Sequence, residues 1–372
     1  MEPRYRRIAL AALVVLAAAM QLPSWGWEVE DAGIDLAYAR SLASGLGLVA
    51  QAGAERVEGF SNPSWVGLLA VGDWLGFEPF ALTRWLGLAL GCAAVPAVYA
   101  AMRSLDEDWP VASLGAATAI ALYAPHAIWA QSGLENALFT VLLAVACARV
   151  VNASDVDVGG PLAFLALAWT RPEGVMYAVI GAGAAIASAR TWSSAARRST
   201  VWVAAFVVPF LGAELVRVLY FGQELPATFY AKLGTPTFRP ADPASRGWTQ
   251  LVAFLRQTGT AAVVPLAVVG AFGAGGWRWV AGVVALVLVG ISLVTASPWP
   301  VAVVIAAIPV LSIGRRLPIG IAAALVLVGC AFQVGTDGDW MRGYRWMSLV
   351  AVPGAMLVGA GLGELVRRLD DL

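Results

Sequence analysis

The sequence is poor in charge, histidine and lysine, and these shortages exclude several classes of protein. Asp, Glu, Lys and Arg make up 13% of the 372 residues, whereas 60% are apolar; ordinary soluble domains have about 25% charged residues. Acidic and basic residues balance at 24 each, which excludes the basic footprint of a nucleic-acid-binding protein. Too little polar surface remains for a soluble fold, so the composition predicts an integral membrane protein.

Histidine and cysteine chemistry is also nearly excluded. A multi-histidine metal site is impossible with one histidine, and we expect His126 to be a hydrogen-bonded interface residue, with a catalytic base as the alternative. Cys92, Cys147 and Cys330 lie in apolar runs and are typical of small core residues rather than disulfides or metal ligands. Any chemistry must therefore rest on carboxylates, arginines and aromatic side chains.

The apolar runs predict an all-α, polytopic membrane bundle of about twelve transmembrane helices. The first run, after Arg4, Arg6 and Arg7, is interpreted as a span starting in the cytoplasm rather than a signal peptide. Both termini are then cytoplasmic, with eleven or thirteen spans as alternatives. The spans are predicted at about 8–22, 82–102, 110–130, 134–151, 160–171, 173–189, 200–221, 250–272, 279–296, 299–314, 318–334 and 347–366.

The chain is expected to form a single transmembrane domain, 1–372, with no soluble domain. Residues 25–80 are predicted to form an extracytoplasmic loop with juxtamembrane helices, in which 63–77 lies along the outer interface. A second extracytoplasmic loop is predicted at 222–249. On this topology the ionisable residues gather outside the membrane, as expected of a cavity that opens outward.

Carboxylates lie near the start of the first loop. Glu30 and Asp31 precede a predicted helix from Ala32 to Ser44, and Asp35 and Tyr38 continue the same face. Helix capping with solvated loop charge is one interpretation, because a helix N-terminus stabilises carboxylates. A catalytic carboxylate is the other.

Further ionisable residues lie near predicted span ends. Glu135, Arg171 and Glu173 should face water or each other, because a charge in hydrocarbon costs at least about 2.5 kcal/mol. Lys232 is the only lysine, and it is expected either to extend to the membrane interface or to contact a phosphate.

The last external segment pairs acids with arginines. Arg342 and Arg345 are three residues apart and follow Asp337 and Asp339. One interpretation is an ion-paired loop that caps the final helix. The other is a clamp for an anionic head group, in which both arginines share a helical face and the acids orient them or hold a divalent cation.

Six segments, taken in order, resemble GT-C glycosyltransferases, and in particular the bacterial enzymes akin to the terminal arabinofuranosyltransferases of mycobacterial cell walls. Glu55–Pro63, reading ERVEGFSNP, is the sharpest match. The others are Glu30–Arg40, Ser132–Glu135, Thr170–Gly174, Phe229–Lys232 and Gly338–Met341. The first of these usually begins Asp-Asp in this group and here begins Glu30-Asp31, which makes Asp31 the preferred base.

The resemblance implies a GT-C-like fold in the bacterial cytoplasmic membrane. It also implies transfer of a sugar from a polyprenyl-phosphate donor to an extracytoplasmic glycan, lipid or protein acceptor. Its implied catalytic residues are Asp31 and Glu30, and the donor phosphate would lie against Arg345, Arg342, Lys232 and Arg171. Substrate contacts would come from Asp35, Tyr38, Arg40, Glu58, Asn62, Glu135, Glu173, Tyr230, Asp339 and Trp340. No cofactor is certain, and a divalent cation at Asp337 and Asp339 is an option.

Two alternatives belong to other classes. A secondary transporter or lipid flippase would also have about twelve spans and intramembrane charge, but the sequence shows no inverted-repeat hydropathy. A non-catalytic membrane protein that keeps a GT-C-like fold is the second alternative.

Overall fold

The fold was obtained as a computed structural model. It describes residues 2–105, 109–151, 154–227, 230, 246–273, 277–295, 303–304, 317–336, 338–339 and 341–370. The regular elements within these ranges are all helical, which confirms the all-α prediction.

The described residues form sixteen α-helices. They are α1 (Pro3–Gln21), α2 (Glu30–Ala43), α3 (Pro63–Trp74), α4 (Pro79–Arg103), α5 (Pro110–Ala121), α6 (Ala124–Ala130), α7 (Asn136–Val151), α8 (Gly159–Thr170), α9 (Gly174–Ala187), α10 (Trp192–Trp202), α11 (Val208–Phe221), α12 (Arg246–Gln257), α13 (Val264–Phe272), α14 (Trp277–Thr295), α15 (Leu317–Gly335) and α16 (Ala351–Asp370). A π-helical turn, Val203–Val207, joins α10 to α11, and a 3₁₀ helix, Arg345–Val350, leads into α16.

Several of these elements favour a membrane protein. Four are long and apolar enough to cross a bilayer, namely Pro3–Ser24, Pro79–Arg103, Trp192–Phe221 and Arg345–Asp370. A fifth crossing is added if the pair α5 and α6, bent by 55°, counts as one broken span. Shorter apolar helices follow at Asn136–Val150, Gly159–Thr170, Gly174–Ala187, Gly282–Ser292 and Ile319–Gly335. The count of twelve spans and the sidedness stay predictions.

Two of the predicted spans are interrupted in the structure. The run 110–130 breaks after Ala121, just before Pro125, which cannot donate a backbone hydrogen bond inside a helix. The run 250–272 breaks at Gly259, where the backbone turns through a φ of 71° before a 3₁₀ turn. Most of the predicted span 299–314 lies outside the described residues.

The chain divides into two compact units. The first unit contains Met1–Met20, Cys92–Ala127 and Phe238–Leu372, and the second contains Gln21–Gly91 and Ile128–Thr237. Within the first unit, α16 packs against α5 and α13. Glycines make this close approach feasible, because a β-carbon at Gly359 would overlap the Ala112 carbonyl oxygen and one at Gly361 would overlap that of Leu266.

In the second unit, α2 packs on α3, and α8 packs against α7 and α9. An apolar cluster that includes Leu36, Phe60, Trp65 and Leu69 fills the space between α2 and α3. With 12 residues, α3 is only about 18 Å long, too short to cross a hydrocarbon core of about 30 Å. The expectation that residues 63–77 lie along the outer interface stays a prediction.

Candidate functional site

The start of α2 is held in place by the turn before α7, in the second unit. The backbone N–H of Val29 donates to the Ser132 carbonyl (3.0 Å), and the Trp65 indole N–H donates to the Gly133 carbonyl (3.0 Å). Gly133 has a φ of 83°, and an added β-carbon would lie 2.7 Å from that of Ala32. The Ser132–Glu135 segment therefore meets the first-loop segment, although about 100 residues separate them.

Asn62 joins two carboxylates in the interior of this unit. Its side-chain amide nitrogen donates to Asp35 Oδ2 (2.8 Å) and to Glu135 Oε2 (2.7 Å). All three side chains are buried, with between 4% and 6% of the residue exposed. The Asn62 side chain thus connects three of the six segments on which the resemblance is based, namely Glu30–Arg40, Glu55–Pro63 and Ser132–Glu135.

Arg171 extends the cluster to a fourth segment. Its guanidinium contacts Glu135 Oε1 (2.5 Å) through Nη1 and Glu173 through Nη2 (3.1 Å) and Nε (3.3 Å). The three residues are nearly fully buried. They face each other, which is one of the two outcomes that the sequence predicts, and Glu135 and Glu173 orient the arginine. Because both carboxylates engage this guanidinium, a phosphate would have to displace one of them.

The second unit therefore contains a buried polar chain that runs Asp35, Asn62, Glu135, Arg171, Glu173, called the carboxylate cluster below. It contains three carboxyl groups and one guanidinium. Burial raises the pKa of Asp35 well above its usual value, and the neighbouring charge of Glu135 raises it further. The cluster can consequently take up a proton at a pH at which an exposed aspartate is ionised.

The first turn of α2 is more accessible to solvent than this cluster. Asp31 is half-buried, and Glu30 and Arg40 are exposed. Helix α2 spans Glu30–Ala43, close to the predicted bounds, with Glu30 and Asp31 in its first turn. Asp35 lies one turn further along and is only 4% exposed. Asp31 is therefore partly buried but still accessible to a substrate, whereas Glu30 is exposed and Asp35 is closed off from solvent.

The loop between α2 and α3 is pinned by Tyr38 and Glu58. Tyr38 is buried, donates to the Val57 carbonyl (2.5 Å) and accepts from the Gly59 N–H (3.1 Å). Glu58 accepts from Arg217 Nη1 (2.8 Å). Burial raises the pKa of Glu58 even though Arg217 contacts it. The buried side chains of Tyr38 and Glu58 thus fix the conformation of the Glu55–Pro63 segment.

Sequence reasoning missed Arg217. The signal was present, since Arg217 and Glu214 are the charged residues of the otherwise apolar helix α11, and ionisable groups in such helices are usually paired or functional. Arg217 Nε also contacts Glu214 (2.7 Å).

A separate polar group lies in the first unit. Asp339 accepts from Arg345 Nε (2.8 Å) and Nη2 (3.2 Å), and both residues are buried. The Asp339 backbone N–H donates to Gln250 Oε1 (2.8 Å), which also accepts from the Gln333 amide (2.9 Å). This is the ion pair that the capping interpretation of the last external segment predicts. Sequence reasoning missed Gln250 and Gln333, for which no motif gave a signal.

The two arginines of this segment do not share a helical face, and that expectation is wrong. Gly343 and Tyr344 have φ values of 88° and 60°, so the helical backbone begins only at Arg345. Arg342 is exposed, whereas Arg345 is buried with its guanidinium 4.8 Å from the centroid of the Trp346 ring. The left-handed conformation of Tyr344 is held by a hydrogen bond from its hydroxyl to Gln257 (2.5 Å).

Several predicted site residues are not brought into either group. Tyr230 is 44% exposed, and Lys232, Asp337 and Trp340 lie outside the described residues. No set of three or more His, Cys, Asp or Glu side chains suited to a metal ion occurs in the part of the chain that the structure describes. A divalent cation at Asp337 and Asp339 stays a prediction.

Asp31 belongs to the second unit and Arg345 to the first, and their predicted convergence on one substrate stays a prediction. A comparison with models of known protein families and with curated proteins finds no match to this sequence.

Proposed function

We propose that this protein is a GT-C-like membrane glycosyltransferase that moves a sugar from a polyprenyl-phosphate donor to an extracytoplasmic acceptor. One observation carries the proposal. Four segments that resemble the GT-C group, and that lie up to about 140 residues apart, meet in one polar cluster, which begins one helical turn after Asp31. Such convergence is expected of segments that build a common site.

Asp31 acts as the general base in this proposal. Its carboxylate takes the proton of the acceptor hydroxyl while the acceptor oxygen bonds to the anomeric carbon. The bond from that carbon to the phosphate oxygen breaks, and the polyprenyl phosphate leaves with the electron pair. Glu30, exposed in the same turn, is the second candidate for the base.

The donor phosphate is assigned to Arg345, Arg342 and Lys232. Cations placed against the departing phosphate stabilise the charge that develops there. Arg171 is left out of this set, because Glu135 and Glu173 already occupy its guanidinium. Glu135, Glu173 and Asn62 instead support α2, and so the position of Asp31.

The test uses purified protein in lipid nanodiscs with a panel of polyprenyl-phosphate sugars, and measures release of the carrier phosphate. Asp31→Asn should bind donor normally and lower turnover by about 10²- to 10⁴-fold, the usual contribution of a general base. Glu55→Gln, an exposed charge change in the loop that follows α2, tests for a non-specific charge effect. Turnover by Asp31→Asn within a few-fold of wild type would remove Asp31 as the base and direct attention to Glu30.

A proton-coupled transporter is the second candidate, and the buried carboxylate cluster favours it. Proton relays in transporters use buried carboxylates of this kind. In sealed proteoliposomes a transporter would couple solute entry to a change in internal pH, with no release of carrier phosphate. Release of carrier phosphate therefore indicates the glycosyltransferase, and a coupled change of internal pH without that release indicates the transporter.

A further inference from the structure

The carboxylate cluster contains an acceptor that lacks a donor. Asn62 is 6% exposed, its amide nitrogen serves Asp35 and Glu135, and its carbonyl oxygen Oδ1 is buried with no hydrogen-bond partner. A buried polar atom without a partner costs about 1–3 kcal/mol. The orientation of the amide is determined by its neighbours, because turning it over would direct the carbonyl oxygen at a carboxylate.

The charges of the cluster do not balance either. Asp35, Glu135 and Glu173 would bring three negative charges when ionised, against the single positive charge of Arg171. Buried charges without a partner are relieved in proteins by a change of protonation. One added proton supplies a donor for the acceptor that lacks one and halves the excess negative charge, from two to one.

We propose that Asp35 is a buried proton-binding site, whose carboxyl group holds a proton at neutral pH and donates it to the carbonyl oxygen of Asn62. The acid and the amide then form a reciprocal pair, with the amide N–H donating to Asp35 Oδ2 as observed. The proton comes from solvent and returns to it when the site ionises.

The partners of the three carboxylates identify Asp35 as the proton holder. Glu135 and Glu173 each contact the positively charged guanidinium of Arg171. The hydrogen bond that Asp35 accepts comes from a neutral amide. Burial and the charge of Glu135 raise the pKa of Asp35, in agreement with this assignment.

The other charged groups around Asp35 do not oppose the assignment. On its own helix, Asp31 raises the pKa of Asp35 further. The turn before α7 contributes Glu135, and Arg171 contacts the other oxygen of that side chain. In α3, which packs on α2, the charged residue is Asp73, about three turns after Asn62. In the preceding loop, Glu58 is paired with Arg217.

A neutral Asp35 removes a negative charge one helical turn from Asp31, the proposed base, a consequence that rests on the proposed function. The proton site itself requires no catalytic activity. The proton site is therefore tested by infrared spectroscopy and by measuring stability against pH. Neither measurement depends on glycosyltransferase activity, so the proton site can be confirmed or refuted even if the proposed function fails.

The first experiment is infrared spectroscopy of full-length protein with ¹³C-labelled aspartate carboxyl groups, which separates aspartate from Glu58. Wild-type protein at pH 7 should show the carbonyl stretch of a protonated aspartate, and Asp35→Asn should lack it. If that variant does not fold, Asp35→Glu moves the acid out of the labelled set and tests the same assignment. Absence of the band from the wild-type protein at pH 7, or its persistence in the variant, overturns the proposal.

The second experiment follows stability with pH. A group whose pKa is raised in the folded state stabilises most below its unfolded pKa, about 3.9, and that contribution is lost as pH rises. Asp35→Asn cannot ionise, so it does not lose this contribution as pH rises. The ratio of its unfolding equilibrium constant to that of the wild type should therefore fall about tenfold per pH unit, from about pH 4 up to the folded pKa of Asp35. Glu55→Gln, an exposed change in the neighbouring loop, should give a flat ratio. A flat ratio for Asp35→Asn overturns the proposal.

Discussion

Replacing Arg171 by methionine tests whether the carboxylate cluster is held by its one cation. The change removes three contacts, at 2.5, 3.1 and 3.3 Å, and leaves Glu135 and Glu173 buried without a counter-charge. Breaking a buried pair by removing one partner costs about 3–5 kcal/mol. The methionine side chain fills much of the space, so a cavity adds little.

Protonation gives an independent magnitude for the same variant. Keeping one glutamate neutral at pH 7, against an unperturbed pKa of about 4.3, costs about 1.4 kcal/mol per pH unit, or roughly 3.7 kcal/mol. Because the remaining carboxylates gain a raised pKa in the folded state, the loss of stability should shrink as pH falls. We expect a cost of about 4 kcal/mol at pH 7 and about 1 kcal/mol at pH 5.

Unfolding in mixed micelles, followed by the fluorescence of the 16 tryptophans, measures this cost. Arg84→Met is the matched control, because Arg84 pairs with Glu28 at 3.2 Å but is 37% exposed in its side chain. An exposed pair contributes about 0.2–1 kcal/mol. Adding Glu135→Gln and Glu173→Gln to Arg171→Met should restore most of the stability. Equal costs for Arg171→Met and Arg84→Met, or a cost that does not change between pH 5 and 7, would refute the reasoning.

Two further predictions concern contacts that shape the loops. Arg345→Ala should cost about 3–5 kcal/mol of unfolding free energy, because it leaves Asp339 buried without its partner. If Arg345 also binds the donor phosphate, donor affinity in the remaining folded protein falls about ten- to a hundredfold; unchanged affinity excludes Arg345 from the donor site. Tyr38→Phe removes two hydrogen bonds, to the Val57 carbonyl and from the Gly59 N–H, and should lower the unfolding free energy by about 1–3 kcal/mol. A thermal shift below the detection limit would contradict the role of Tyr38 in holding the loop.

The membrane character and the positions of most helices could be predicted from the sequence. Apolar runs and proline positions are local properties, and α2, α8 and α9 lie close to the ranges that they predict. The breaks after Ala121 and at Gly259 were missed, because an apolar run of span length does not report a bend within it.

The candidate site was predicted only as a set of segments. Helical spacing placed Asp31 and Asp35 on one face of α2, but burial made them different, with Asp31 half-buried and Asp35 at 4% exposure. That difference comes from the Ser132–Glu135 turn and from Asn62, which are distant in the sequence. Helical spacing by itself could not show that the two carboxylates differ in burial.

The partners of the arginines were also decided by the tertiary structure. The sequence placed Arg171 and Arg345 near span ends beside acids, with a phosphate and a carboxylate as rival partners. The structure assigns Glu135 and Glu173 to the first and Asp339 to the second. Composition and periodicity determine which segments enter the membrane, because transfer from water depends on each side chain by itself. The partner of a buried charge depends on which distant segments pack around it, and only the folded chain decides that.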